Sequence, residues 1–337
     1  MNNSPKEKQL PWPKILFGLF ILFFAVVIFS DMAKVEAAFS RANWWYIASA
    51  IILTAASYYL AAYSYYLANF IFGLEIDKKK LIKIGFVTIA FNNLITLGGT
   101  IGYSLRVMML KNEKNKTRHI MAASIFFSYL NFLIIVVFSA ISLAYTLAGS
   151  KISSGIAMAF EAAFLIFILF SILLTLIMFN EKFRRTSLGF LSGIIKLVSK
   201  KDMSENLQNT GLALSEGVIM TKKMPGYAVF LILTTLADWV TCLFILWFCF
   251  RAFDITLSPI FIISGFFLSV VAGMISMIPG GLGVQDLSEA GIYSILGVPF
   301  AGAIAVSVVF RVIYYFIPFL GGLVIYHRLI SEKNRNK

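Results

Sequence analysis

The sequence predicts an all-α polytopic transmembrane bundle, with about six full spans and two re-entrant half-helix hairpins of opposite orientation. Three observations point there. Of the 337 residues, 59% are hydrophobic and only 13% charged, whereas soluble domains carry about 25% charge. The charges are clustered: 33 residues without Asp, Glu, Lys or Arg separate Arg41 from Glu75, 32 separate Arg118 from Lys151, and 31 separate Asp254 from Asp286. About 20 apolar residues in helical form suffice to cross a hydrocarbon core. The apolar runs are also continuous, unlike the alternation of an outer-membrane barrel. A soluble domain, a disordered chain and a disulfide-stapled module are excluded. Cys242 and Cys249 would lie roughly 10 Å apart on one helix, too far to bridge.

The elements follow in order within a single domain, 1–337. Residues 1–14 are polar, with Lys6, Lys8 and Lys14, and 15–30 form a short apolar span. A signal peptide is the alternative there, but no clear small-x-small cleavage site follows. Residues 31–43 mix charged and apolar residues as a helix on the membrane surface does. Residues 44–72 form a span opening on Trp44 and Trp45, aromatic anchors of the interface. Its Tyr58, Tyr59, Tyr63, Tyr65 and Tyr66 are unusual polar rings for mid and late positions. After a basic loop, 84–105 is apolar but broken by Asn92 and Asn93 and then at Gly98-Gly99-Thr100-Ile101-Gly102. Residues 120–147 and 156–180 are two further spans. In 181–223, Leu188, Leu191, Ile195 and Val198 recur at helical spacing beside Lys196, Lys200 and Lys201, an amphipathic segment against the bilayer. Residues 225–250 span again, 257–278 run into Pro279-Gly280-Gly281-Leu282-Gly283, and 300–327 form the last span.

Charge counting fixes the topology. If both glycine-split segments, about 84–106 and 257–298, fold back to their own side, 24 Lys/Arg lie inside and four outside (Lys34, Arg41, Lys151 and Arg251), with Arg311 in the membrane. No single full crossing of either segment does as well under the positive-inside rule. Both termini are then cytoplasmic, and the two glycine clusters lie near mid-depth, entering from opposite faces. Broken helices at such matched points mark transporter-like sites. The two segments share a Phe-rich run, a glycine cluster and a polar turn. Simple packing kinks are the plainer alternative.

Two charges fall mid-span. An Arg at the centre of a membrane helix costs about 2.5–3.5 kcal/mol on insertion scales and faces a partner or a cavity. Arg311 and Asp238 form a buried ion pair, or Arg311 faces a cavity and takes an anionic headgroup; the sequence leaves both open. Asp286 and Glu289 follow the second cluster and are alternative groups to neutralise a basic partner, and Arg106 follows the first, where it contacts phosphate or is ordinary cytoplasmic flank. His119 and His327 read as interfacial bystanders. Metal-ligand spacing, a phosphate-binding glycine loop with a following Lys-Ser/Thr and a nucleophile elbow are missing. The net charge of +13 reflects the cytoplasmic bias, not a nucleic-acid surface.

Pro279-Gly280-Gly281-Leu282-Gly283-Val284-Gln285-Asp286, then Gly297, Arg311, Pro318 and Gly321, resembles the C-terminal signature of the lysylphosphatidylglycerol synthase transmembrane-region family, that of the MprF-type flippase domain. Gly98-Gly99-Thr100-Ile101-Gly102 with Arg106 is similar to its first signature. That signature's usual Pro and Glu appear here as Gly98 and Tyr103, and the common Glu of the second as Asp286. The resemblance covers nearly the whole chain. It implies a plasma-membrane protein that moves, or helps move, a lipid between leaflets. It also implies no aminoacyl transfer, because the family's soluble transferase domain is expected to be absent.

The expected site is a mid-depth cavity. Gly98, Gly99, Thr100, Gly102 and Arg106 from one hairpin would meet Pro279, Gly280, Gly281, Gly283 and Gln285 from the other, with Arg311 beside them to bind a phosphate-bearing headgroup. Asp238, Asp286 and Glu289 would balance charge or gate. The expected partners are membrane phospholipid and anionic lipid at the cytoplasmic face. A homo-oligomer is compatible with the sequence, and no catalytic residue, cofactor or metal is expected. An integral membrane enzyme or accessory subunit acting on lipid-linked sugars, and a non-transporting scaffold, are the alternatives.

Overall fold

A computed structural model of the chain describes residues 42–95, 100–110, 117–149, 154–199, 204–276 and 278–335. The expected first span, 15–30, and the glycines Gly98 and Gly99 lie outside the described residues. Among the described residues every regular element is a helix. They are α1 (Trp44–Ile71), α2 (Lys78–Ile95), α3 (Thr100–Leu110), α4 (Thr117–Gly149), α5 (Ser154–Phe179), α6 (Glu181–Ser199), α7 (Ser204–Lys223), α8 (Pro225–Ala252) and α9 (Pro259–Ser276). A 3₁₀ turn (Pro279–Gly281) follows, then α10 (Val284–Ile295), α11 (Phe300–Arg311), a π turn (Val312–Phe316) and α12 (Ile317–Arg335). Helices are what hydrocarbon permits here, because each backbone group is satisfied within its own segment.

Five of these stretches are long and apolar enough to cross a membrane: Trp44–Ile71, Thr117–Tyr145, Pro225–Ala252, Pro259–Ser276 and Phe300–Glu332. The expected span at 156–180 passes the same test only when Phe164–Phe179 is joined to Glu181–Leu197 across a 109° bend. Pro259–Ser276, expected as one arm of a hairpin, is 18 residues long. That is about 27 Å, close to the hydrocarbon thickness. Many side chains on the outer faces are apolar and exposed, such as Ile166, Leu169, Val229 and Leu233, as contact with lipid requires.

The spine of the bundle is the pairing of α1 with α8, its most extensive helix contact. Asn43 caps α1 by accepting the Trp45 N–H (3.1 Å), and its own N–H donates to Ala252 O (2.7 Å). The start of α1 thus lies at the end of α8. Ser64 Oγ donates to Thr234 Oγ1 (2.8 Å) near the opposite end, so the two run antiparallel.

The elements repeat at a fixed interval. Helices α1 and α8 cover 44–71 and 225–252, and α2 and α9 cover 78–95 and 259–276, each 181 residues after its counterpart. The same interval carries Gly102 onto Gly283. Each half continues with a short helix, 11 residues in α3 and 12 in α10, and ends in a long helical run. The long arm of each hairpin packs on the last run of the other half. Phe138 of α4 stacks on Phe267 of α9 (4.8 Å between ring centroids), and Phe91 of α2 meets Phe319 of α12 (4.9 Å). Because the leading helices are antiparallel, the halves run in opposite directions.

In both glycine-split segments the short helix after the break packs on the helix before it. Gly102 of α3 lies against Asn92 of α2, where a Cβ would stand 2.8 Å from Asn92 Oδ1. In the second, Gln285 of α10 lies against Gly273 of α9, and Tyr293 reaches back to donate to Ile262 O (2.9 Å). The amphipathic segment at 181–223 is two helices, α6 and α7, and its anchor is Arg184. That side chain is buried and donates to Met178 O (2.9 Å) and Ile177 O (3.3 Å) at the end of α5, and to Ser215 of α7. The last carbonyls of a helix lack intrahelical partners, and Arg184 supplies them.

Candidate functional site

The tip of the second hairpin is built from glycine because of its backbone. Gly280, Gly281 and Gly283 have φ of +62°, +63° and +81°, a left-handed region that L side chains enter at a cost. A Cβ on Gly280 would also stand 2.5 Å from Leu94 O of α2. The tip of one hairpin therefore sits on the last turn of the other hairpin's long arm. Asp286 fixes the tip by accepting the Gly283 N–H (3.0 Å).

Arg311 ends α11 beneath this tip and is 1% exposed. Its Nε donates to Asp286 Oδ1 (2.5 Å) and its Nη1 to Gly280 O (3.0 Å), while its guanidinium lies 4.7 Å from the Tyr315 ring centroid. Gln285 Nε2 donates to Tyr315 Oη (3.4 Å). The Asp238–Arg311 ion pair is not formed: the partner of Arg311 is Asp286, one of the carboxylates expected to neutralise a basic group, and Asp238 is engaged by Ser57. The pairing is close in sequence, with one turn and one helix between the partners, and the tip geometry decides it. Glu289, one turn further along α10, is buried, and its Oε1 has no hydrogen-bond donor among the described residues.

Asp238 lies at the middle of α8, opposite the middle of α1. Ser57 Oγ donates to Asp238 Oδ1 (2.5 Å) and lies 3.4 Å from Tyr314 Oη. Tyr58 Oη donates to Tyr314 O (2.8 Å) and accepts from Asn93 Nδ2 (3.1 Å). Asn93 precedes Leu94, so this chain of polar groups ends where the two hairpins touch. The π turn helps to arrange it. Wide turns of this kind recur at functional sites, and here Ile313, Tyr314 and Tyr315 are all buried.

Arg106 occupies a different environment. It lies on α3, is 4% exposed, and its guanidinium carbon is 4.6, 5.5 and 5.7 Å from the ring centroids of Tyr65, Tyr103 and Phe127. Among the described residues no carboxylate pairs with it, and its Nε has no acceptor. Tyr65 Oη, Asn69 Oδ1 and Ser124 Oγ are also buried without partners among the described residues. Tyr103 Oη donates to Ser128 Oγ (2.9 Å). Tyr58 and Tyr65 are seven residues apart on α1, so the two polar regions are roughly 10 Å apart along that helix.

The structure thus brings Gly280, Gly283, Gln285, Asp286 and Arg311 together, sets Asp238 in a neighbouring network, and holds Arg106 in an aromatic cage of its own. Thr100 opens α3. Ser57, Ser124, Tyr314 and Tyr315 carry no sequence signal, and Asn93 stands out there only as a polar break in an apolar run. The run of tyrosines in α1 was the available signal, since Tyr58 and Tyr65 share one helical face. His119, expected to be a bystander, pairs with Glu216 (3.1 Å), 97 residues away.

A sequence profile of the family described as "Lysylphosphatidylglycerol synthase TM region" matches residues 14–322. A protein named phosphatidylglycerol lysyltransferase from Staphylococcus aureus (strain MRSA252) is 22% identical over 334 residues, covering 96% of this chain and 35% of the relative. A protein of the same name from Staphylococcus haemolyticus (strain JCSC1435) is 23% identical over 338 residues, with the same coverage. The chain therefore spans about a third of the length of these curated relatives.

Proposed function

Because the chain belongs to the lysylphosphatidylglycerol synthase TM region family, we propose that it is a translocase-like membrane protein carrying an anionic or aminoacylated phospholipid headgroup between leaflets. The observation that carries this reading is Arg106. A buried arginine without a carboxylate partner is expensive, and such groups in membrane proteins mark substrate pathways. Its planar fork suits the paired oxygens of a phosphate, and the rings of Tyr65, Tyr103 and Phe127 hold the cation in place. Tyr65 Oη and Ser124 Oγ add hydroxyls that can donate to the same headgroup.

Arg311 takes the supporting role, because Asp286 and Gly280 O already engage its Nε and Nη1. It holds the second tip against α2, and the glycines of that tip let the backbone approach. The two hairpins are re-entrant on this reading, dipping from opposite faces and meeting at mid-depth. The Lys/Arg bias places both termini in the cytoplasm, and the basic helix α6 gathers anionic lipid at that face. The lysyl transfer for which the relatives are named is not assigned to this chain.

The test is reconstitution into vesicles with a labelled phosphatidylglycerol and measurement of leaflet exchange. Arg106→Ala removes one charged hydrogen-bonding partner, worth about 1.5–3 kcal/mol, so exchange falls between about tenfold and about 150-fold. Arg106→Lys keeps the charge, loses the fork, and falls between parent and Arg106→Ala. Parent-like exchange in a monodisperse, folded Arg106→Ala protein removes the headgroup role. Exchange by the parent no faster than in empty vesicles removes the translocase reading itself.

A further inference from the structure

We infer that Asp238 is a proton-binding site whose loading and release are coupled to the contact between the two hairpins. This rests on the translocase reading for its purpose, though not for its chemistry. An isolated ionised carboxylate is strongly disfavoured away from water unless it is paired or neutralised. Asp238 is buried, and among the described residues its one hydrogen-bond partner is the neutral Ser57 hydroxyl.

Among the described residues no cation pairs with it. The ionisable groups facing it are Tyr58 from α1, Tyr314 from the π turn, and Cys242 from its own helix, which also faces Glu289 of α10. Helix α9 contains no ionisable residue, and the charged residues of α4, Arg118 and His119, stand in its first turn. From α11 the cation is Arg311, already held by Asp286. Lys222 and Lys223 of α7 and Arg251 at the end of α8 are each 13 or more residues away along the chain, roughly 20 Å or more in helical rise. A metal ion fits poorly, because the oxygens of Asp238, Ser57 and Tyr314 stand at hydrogen-bond distances from one another (2.5 and 3.4 Å) and not around an empty seat.

Position supplies the coupling. Ser57 and Asp238 are counterparts in the 181-residue repeat, so their contact lies where the two halves cross. Coupling-ion sites of transporters lie at such repeat interfaces. From Ser57 the hydroxyl of Tyr314, the carbonyl of Tyr314, the hydroxyl of Tyr58 and the amide of Asn93 lead to the place where Gly280 touches α2. Protonating Asp238 turns its carboxylate into a donor as well as an acceptor, so Ser57 no longer has to donate to it and can turn to Tyr314. The proton joins a carboxylate oxygen and leaves to water; no other bond is made or broken.

Two measurements on the purified full chain test this. Infrared difference spectra between acid and neutral pH should contain a protonated-carboxyl band in the parent. Asp238→Asn should lose it, Asp238→Glu should restore a shifted one, and Ser57→Ala should displace it. In vesicles, a pH difference of one unit should change parent lipid exchange by about three- to tenfold, the upper figure being the tenfold change in proton activity, and should leave Asp238→Asn exchange indifferent to the gradient. Identical difference spectra in parent and Asp238→Asn overturn the proton site. A lost band with gradient-independent exchange in the parent overturns the coupling. A lost band with no parental lipid exchange at all overturns the coupling through failure of the translocase reading, and the separate infrared readout distinguishes that case.

Discussion

Substituting Gly280 by alanine tests the geometry on which the candidate site depends. The residue has φ +62° and ψ 11°, and a left-handed backbone costs a non-glycine residue about 1–2 kcal/mol. The added Cβ would lie 2.5 Å from Leu94 O and 3.1 Å from Leu94 C, both backbone atoms that cannot rotate aside. Unstrained C···O contacts begin near 3.3 Å, so the hairpin tip must retreat by about 0.8 Å, an overpacking cost of about 1–3 kcal/mol. The same retreat stretches the 3.0 Å bond from Arg311 Nη1 to Gly280 O beyond hydrogen-bonding range. The expected total is a loss of about 2–5 kcal/mol. Reversible unfolding of the detergent-solubilised protein in a graded denaturing detergent measures it. Gly291→Ala is the control: it lies within α10 of the same hairpin with nothing within 4 Å of its added Cβ, so it should be neutral or stabilising by up to about 1 kcal/mol. A Gly280→Ala protein as stable as the parent, or a Gly291→Ala protein equally damaged, would refute the close approach of the two hairpins.

Two further outcomes follow from contacts already described. Arg311→Met leaves Asp286 buried and unpaired and should cost about 3–5 kcal/mol, whereas the double change Arg311→Met with Asp286→Leu should recover much of it; additive losses in the same unfolding assay would show that the pair does not interact. Arg184→Met strips the donor from the carbonyls of Ile177 and Met178 and should cost about 1–3 kcal/mol, with protease cleavage near Asn180 rising first; unchanged cleavage there would mean that α6 does not depend on this anchor.

Much of the architecture was readable along the chain because hydrocarbon imposes a simple length rule. The spans around 44–72, 120–147, 225–250 and 300–327 each emerge as long helices, and the second glycine cluster coincides with the break between α9 and α10. Length does not separate the two readings of Pro259–Ser276: expected as one arm of a re-entrant hairpin, it is also long and apolar enough to cross a membrane. The 181-residue repeat was visible only as a vague likeness, because matching positions carry unlike side chains, such as Trp44 against Pro225 or Lys78 against Pro259. Backbone length and turn position are shared there, and side-chain chemistry is not. The partner of Arg311 was undecidable from sequence, since Asp238 and Asp286 are equally apt until the tip brings one of them to Nε. Ser57 carried no signal, because a serine in a membrane helix is ordinary until a carboxylate faces it. Arg106 stood out by its place after the first cluster, but its isolation from carboxylates depends on Tyr103 and on the fold of α1 against α4.

The π turn at Val312–Phe316 gives the final helix a peculiar economy. Adjacent residues of that one turn serve separate clusters, Tyr314 touching the serine–carboxylate crossing and Tyr315 covering the guanidinium under the hairpin tip. Rewinding it to ordinary pitch would drop one residue from the register, swing everything after Arg311 by roughly 100°, and unseat both rings in a single movement.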